Sequence, residues 1–187
     1  MEYPDKSTAL HIRRAVVADA ATIADIYNAG ITERVATFET TLRTTADMAA
    51  RIQGDPRHPV LVAQRDADGS AGGDGEVVGW AGISSYRSRA CYDGVGEFSI
   101  YIDPRARGGG VGRQLLAALI QEAAALGYWK LLSRIFTFNT ASRALCRSCG
   151  FREVGVYEKH GQLDGRWLDV VIVERLIPEN QPSATDL

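Results

Sequence analysis

Arg107-Gly108-Gly109-Gly110-Val111-Gly112 sets bare backbone directly ahead of an apolar run with helical spacing over residues 111–127. Glycine lets the main chain turn freely and come close to a ligand. A helix start adds unpaired N–H groups and the positive end of a dipole, which together suit an anion. The plain alternative is a flexible turn. A P-loop needs Gly-x-x-x-x-Gly-Lys-Ser/Thr, and no lysine stands here. A dinucleotide fingerprint needs glycine where Arg113 stands, and a β-α-β beginning where the preceding run reads as a hairpin partner. A phosphate cradle is left, without nucleotide hydrolysis or dinucleotide redox chemistry.

Three other groups of residues bear on chemistry. Glu97 lies in the strand-like run 95–103, and period-two alternation puts it on one face with Ser99 and Tyr101. A lone strand glutamate is commonly a solvated residue, yet beside an anion site it is also a carboxylate able to take a proton. Arg87 and Arg89 stand two apart in Tyr-Arg-Ser-Arg-Ala-Cys, so an extended segment points both the same way. Two guanidiniums on one face suit a ligand with two oxyanions; the alternative is a solvated loop pair. Cys146 and Cys149 form a Cys-x-x-Cys inside a predicted helix, with no second pair, which favours packing over zinc or redox chemistry. His160 reads as a surface-loop histidine, and no metal site is expected.

The elements that must position these residues follow from pattern. The 187 residues suffice for one domain with a sizeable core, and 45% hydrophobic with 24% charged residues describes a globular chain. A formal charge of -2 argues against nucleic-acid binding. No run approaches the roughly 20 apolar residues of a membrane span, and the first residues hold no apolar signal core, so the cytoplasm is expected. Strands are expected at 9–15, 59–66, 76–86, 95–103, 130–136, 151–161 and 166–176. Helices are expected at 20–34, after Asp19 as cap, from Thr44 to residue 52, at 111–127 and at 139–150. Residues 67–75 read as a glycine-rich hairpin turn, and 178–187 as a frayed tail. The order implies a single α/β domain spanning 1–187, ordered over about 9–177, whose mixed and mostly antiparallel sheet is flanked by helices.

Arg107-x-x-Gly-x-Gly after a strand, followed about 30 residues later by Asn139, Ser142, Leu145, Gly150 and Phe151 in Asn-x-x-Ser-x-x-Leu-x-x-x-x-Gly-Phe, resembles the GNAT superfamily of acyl-CoA N-acyltransferases. The resemblance implies acetyl-CoA as co-substrate, its pyrophosphate held by backbone N–H groups of Arg107, Gly108, Gly109, Gly110, Val111 and Gly112. Ser99, Ile100, Tyr101 and Ile102 would pair with the pantetheine arm, and one of their N–H groups would polarise the thioester carbonyl. Asn139 and Ser142 would contact the cofactor's lower arm, although Asn139 is by itself an ordinary helix N-cap.

Over most of the chain the sequence is similar to the phosphinothricin and arsinothricin N-acetyltransferase branch, through Tyr27-Asn28, Phe38, Arg87, Arg89, Tyr92, Glu97, Tyr101, Trp167 and Asp169. That likeness implies transfer of acetyl to the α-amine of a glutamate-like toxic amino acid, conferring resistance, with Glu97 as general base. Arg87 and Arg89 would meet the acceptor's anions. Phe38, Tyr92 and Phe98 would line its pocket, although Phe38 and Tyr92 could equally be core. A homodimer is implied as well. Cys146 departs from the Tyr or His that such proteins carry after the leucine, and stands as a doubtful acid for the leaving thiolate. Other acceptors within the same reading are methionine sulfoximine or another small amine; a non-catalytic acyl-CoA sensor is the reading from a different class.

Overall fold

The computed structural model describes residues 10–66 and 75–181. All but Gly75 of the expected glycine-rich turn, and residues 182–187 of the expected tail, lie outside the described residues. In chain order the elements are β1 (Leu10–Arg14), α1 (Ala20–Glu33), α2 (Thr45–Ile52), β2 (Val60–Arg65), β3 (Glu76–Ser85), β4 (Val95–Ile102), α3 (Val111–Ala125), β5 (Lys130–Phe136), α4 (Thr140–Ser148), β6 (Arg152–Leu163) and β7 (Arg166–Leu176). The strands form one sheet in the order β1-β2-β3-β4-β5-β7-β6, antiparallel at every neighbour except β4 and β5. The expected fold class holds.

Each face of the sheet is covered by a helix pair whose apolar stripe matches it. Leu115, Leu116 and Leu119 of α3, with Cys146 of α4, pack on Leu61, Ala63, Val78 and Ala81. Ile23, Ala24 and Ile26 of α1, with Met48 of α2, close over Val60, Val62 and Trp80 on the other face. Spacings of three and four residues keep each stripe on one side of its helix.

Two local expectations are corrected. Asp19 occupies the N-cap position of α1 but gives the helix no side-chain bond. Its carboxylate instead accepts from both terminal Arg13 guanidinium nitrogens, at 2.7 and 2.8 Å, and from the Val16 N–H at 2.8 Å. Burial works against that charge, but these partners outweigh it and hold Asp19 below the usual carboxylate range. The tail does not fray at once, because Pro178–Asn180 form a helical turn. Asn180 Nδ2 donates to the Ala124 and Tyr128 carbonyls at 2.7 and 2.8 Å, acceptors at and just past the end of α3.

The feature that creates the site is a parting of the two central strands. β4 and β5 pair only at Val95–Lys130, Gly96–Leu131 and Glu97–Leu132. Beyond that point each is held from its outer side alone, β4 by β3 as far as Ile102 and β5 by β7 as far as Phe136. α3 anchors the β4 half through its buried leucines, so their packing contributes directly to stability there. Leu119 is fully buried, and Leu119→Ala should cost about 2–5 kcal/mol, seen as a lower urea midpoint with an unchanged slope.

Candidate active site

A cleft of about 840 Å³ occupies the parting. Residues 97–102 of β4 form one wall and residues 133–136 of β5 the other. Gly108, Gly110, Gly112 and Arg113 border it with Asn139 and Ser142, and residues 35–40, which lead out of α1, line it as well.

The glycine loop has a cradle's geometry. Gly108 and Gly110 hold φ of +82° and +79°, and a Cβ on either would meet nothing within 4 Å. Their requirement is therefore backbone shape, not crowding. Gly110 is the N-cap of α3, so the amides of Val111, Gly112 and Arg113 have no partner within the helix. Gly112 is different, since a Cβ there would sit 3.2 Å from Leu145. Arg107 does not extend freely into the cleft: its guanidinium makes a two-pronged pair with Glu33 at 3.0 and 2.9 Å. A cradle of open amides with Arg113 beside it fits a pyrophosphate by the chemistry of its donors.

Glu97 stands at the last paired position before the strands part. Its side chain shares a face with Ser99 and Tyr101, as alternation requires. Its Oε2 is gripped by an Arg134 guanidinium nitrogen, a partner that sequence reading missed. The available signal was a lone arginine interrupting the apolar strand 130–136. About five residues of strand separate Glu97 from Ile102, roughly 17 Å, so carboxylate and phosphate cradle mark opposite ends of one channel. Tyr101 stacks on Trp80 at 5.2 Å and lies 4.6 Å from Tyr27; burial raises its hydroxyl well above the ordinary phenol range.

Asn139 serves as N-cap and as tie. Its Oδ1 accepts from Ser142 N at 3.0 Å, while its Nδ2 donates to the Val35 carbonyl at 2.9 Å. Phe38 lines the cleft and packs edge-on against Phe136 at 4.7 Å. Gly161 makes room for that ring, because a Cβ at 161 would stand 2.9 Å from it. The neighbouring His160 lies on β6, not in a loop, and is exposed yet borders the cleft.

Several expected site residues lie elsewhere. Arg87, Arg89 and Tyr92 sit in the segment between β3 and β4, outside the cleft, with Arg87 over the Tyr86 ring at 5.2 Å. Ser85 pairs with Gly96, so this segment adjoins the Glu97 end of the sheet. The Phe98 side chain alternates away from Glu97 into the core, against Phe151 at 4.9 Å. Cys146 is wholly buried in the same core, and burial pushes its thiol up to about 12. Among the described residues, no cluster of His, Cys, Asp or Glu could hold a metal ion, and no helix is long and apolar enough to cross a membrane.

A sequence profile of the Acetyltransferase (GNAT) family matches residues 24–151. The phosphinothricin N-acetyltransferase of Alcaligenes faecalis is 36% identical over 84% of this chain and 77% of its own length. The L-methionine sulfoximine/L-methionine sulfone acetyltransferase of Pseudomonas aeruginosa is also 36% identical, over 87% of this chain and 92% of its own. The crystal structure of a phosphinothricin acetyltransferase from Sinorhizobium meliloti, in complex with acetyl-CoA, superposes with a TM-score of 0.79 at 35% identity. That match covers 90% of this chain and 88% of the other.

A thiol that loses its proton only near 12 is neutral across pH 6–9. Cys146→Ala should therefore leave the shape of the pH–kcat profile unchanged while lowering the melting temperature, checked by parallel kinetics and calorimetry.

Proposed function

Because the chain belongs to the GNAT family of acetyltransferases, we propose that it acetylates the α-amine of a glutamate-like amino acid with a tetrahedral head group, phosphinothricin or arsinothricin, and so detoxifies it. The enzyme is an acyltransferase, and acetyl-CoA is its co-substrate, supplying the acetyl group as a thioester. The observation that carries the acceptor reading is a carboxylate, Glu97, at the apex of the β4–β5 parting, one strand length from a phosphate cradle.

An α-ammonium group must lose a proton before it can attack. Glu97 accepts that proton, directly or through one water, while Arg134 fixes the orientation of its carboxylate. The free backbone edge of residues 99–102 offers N–H groups to the developing oxyanion. The amides from Gly108 to Gly112 would hold the phosphates, with Asn139 and Ser142 along the arm. Cys146, buried and neutral, has no part in thiolate release.

Arg87 and Arg89, although outside the cleft, belong to this reading as ligands for the head-group anion, because their segment adjoins the end of the β3–β4 ladder where Glu97 stands. Methionine sulfoximine is a second acceptor to weigh, since its acetyltransferase is as similar to this chain as the phosphinothricin enzyme is. Homodimer formation is also part of the proposal. Val154, Val156 and Tyr157 on the sheet-edge strand β6 and Trp167 on β7 are all about half exposed, an unusual apolar load for an edge strand. A cytoplasmic setting suits an enzyme that consumes acetyl-CoA.

A thiol-release assay should give saturable turnover with phosphinothricin, arsinothricin or methionine sulfoximine; absence of turnover with all of them overturns the acceptor reading. Glu97→Gln should lower kcat about 100-fold near pH 7 and recover part of it as rising pH supplies free amine. A variant as active as wild type at pH 7 would remove the base assignment. Arg87→Ala should raise KM for phosphinothricin about 10-fold and for an uncharged-head amino acid far less.

A further inference from the structure

α2 carries an arginine where its buried stripe calls for an apolar residue. Met48 faces the core, and Arg51, three residues on, follows on the same inner face. The Arg51 guanidinium lies over the Trp80 ring, 5.1 Å from its centroid. Its Nη2 is buried and has no hydrogen-bond partner among the described residues, and the same holds for the adjacent Trp80 Nε1.

The groups that act on this charge come from each element around it: Tyr27 of α1, Tyr101 of β4 and Arg43 from the segment before α2. None is a carboxylate. Asp47, one helical turn back, is already committed to the Thr44 N–H and hydroxyl at 2.8 Å each. Glu39 is paired with Arg43 at 2.7 Å. Burial presses the Arg51 pKa down, and the like charge of Arg43 adds to that pressure. A buried cation without an anion costs stability, and a violation of this kind is expected at a functional site, where a ligand can complete the group.

The position of Arg51 indicates which ligand. A Cβ on Gly82 would stand 3.1 Å from Arg51 Nη2, so the missing side chain leaves the room that nitrogen occupies. Gly82 pairs with Ser99, and the next pair on that face is Ser84 with Glu97. Gly82 is therefore the diagonal cross-strand neighbour of Glu97, so the backbone beneath the cation lies roughly 7–8 Å from the backbone that carries the carboxylate. In an α-amino acid the carboxylate is attached to the carbon that bears the amine. Resting on the α-amino-acid reading above, we propose that Arg51 supplies the positive charge that holds the acceptor's α-carboxylate, in contact or across one water, from the Gly82–Ser99 side of the cleft. Arg87 and Arg89 are left for the head group, so the two anions of the acceptor are read by separate cations.

The test is the preference for a free carboxylate. L-methionine sulfone and its primary carboxamide differ at that group alone, and any difference in amine basicity cancels when variant and wild type are compared. Wild-type enzyme should prefer the acid by at least about 10-fold in kcat/KM, through KM. Arg51→Met should abolish the preference, Arg51→Lys should keep it within a few-fold, and the melting temperature of Arg51→Met should equal or exceed that of wild type. An unchanged preference in Arg51→Met overturns the proposal, and a fall in melting temperature beside it marks Arg51 as structural. A wild type that acetylates acid and amide alike also overturns it, with the acetyltransferase reading intact. Turnover of amines lacking a carboxylate, with no amino acid accepted, overturns both this proposal and the acceptor class.

Discussion

A β-sheet is stable because each strand's backbone groups are paired on both sides, and the middle of a sheet is where an unpaired edge is most costly. This protein abandons pairing there. After the Glu97–Leu132 pair the ladder between β4 and β5 stops, and two backbone edges face each other across open space. The rest of the architecture compensates: β3 pairs β4 beyond the parting, β7 pairs β5 along its length, and a helix pair closes each face. In the function proposed above the chemistry uses the same open edges, so the constraint that shapes the fold would also define the site.

Much of this was legible in the residues, because periodicity reports burial and burial is what folding optimises. The strands 76–86 and 95–103, the helix after Gly110 and the cap at Asn139 all stand close to where spacing puts them. What stayed hidden depends on partners far away in sequence. Asp19 looks like a cap until Arg13 and the Val16 amide compete for its oxygens. Phe98 and Glu97 are neighbours in the chain, yet strand alternation sends one into the core and the other into the cleft. No local pattern ties Arg134 to Glu97 or puts Arg51 over Trp80; only the register of β4 against β5 and the packing of α2 on the sheet do so.

The charges around the cleft are sorted by what neutralises them. Arg134 is matched by Glu97, and Arg107 by Glu33. Exposed pairs of this kind contribute little to stability, and their larger effect is to hold functional side chains in fixed orientations. Arg51 is the contrasting case, a cation held in the interior with no anion of its own among the described residues.

The contact between Phe38 and the notch at Gly161 has a topological corollary. Residues 35–40 lead out of α1, which packs on β2 and β3, and they are tied to the β5–β7–β6 half by Asn139 to the Val35 carbonyl, with the preceding Arg34 paired to Asp164, so they bridge the two halves of the sheet. A bridged groove is a passage with two mouths, and traffic through a passage is constrained in a way that an open groove is not. In the function proposed above, donor and acceptor would enter from opposite mouths and meet in the middle without either having to leave. Such a layout favours direct transfer between two bound molecules over a relay through an acylated side chain.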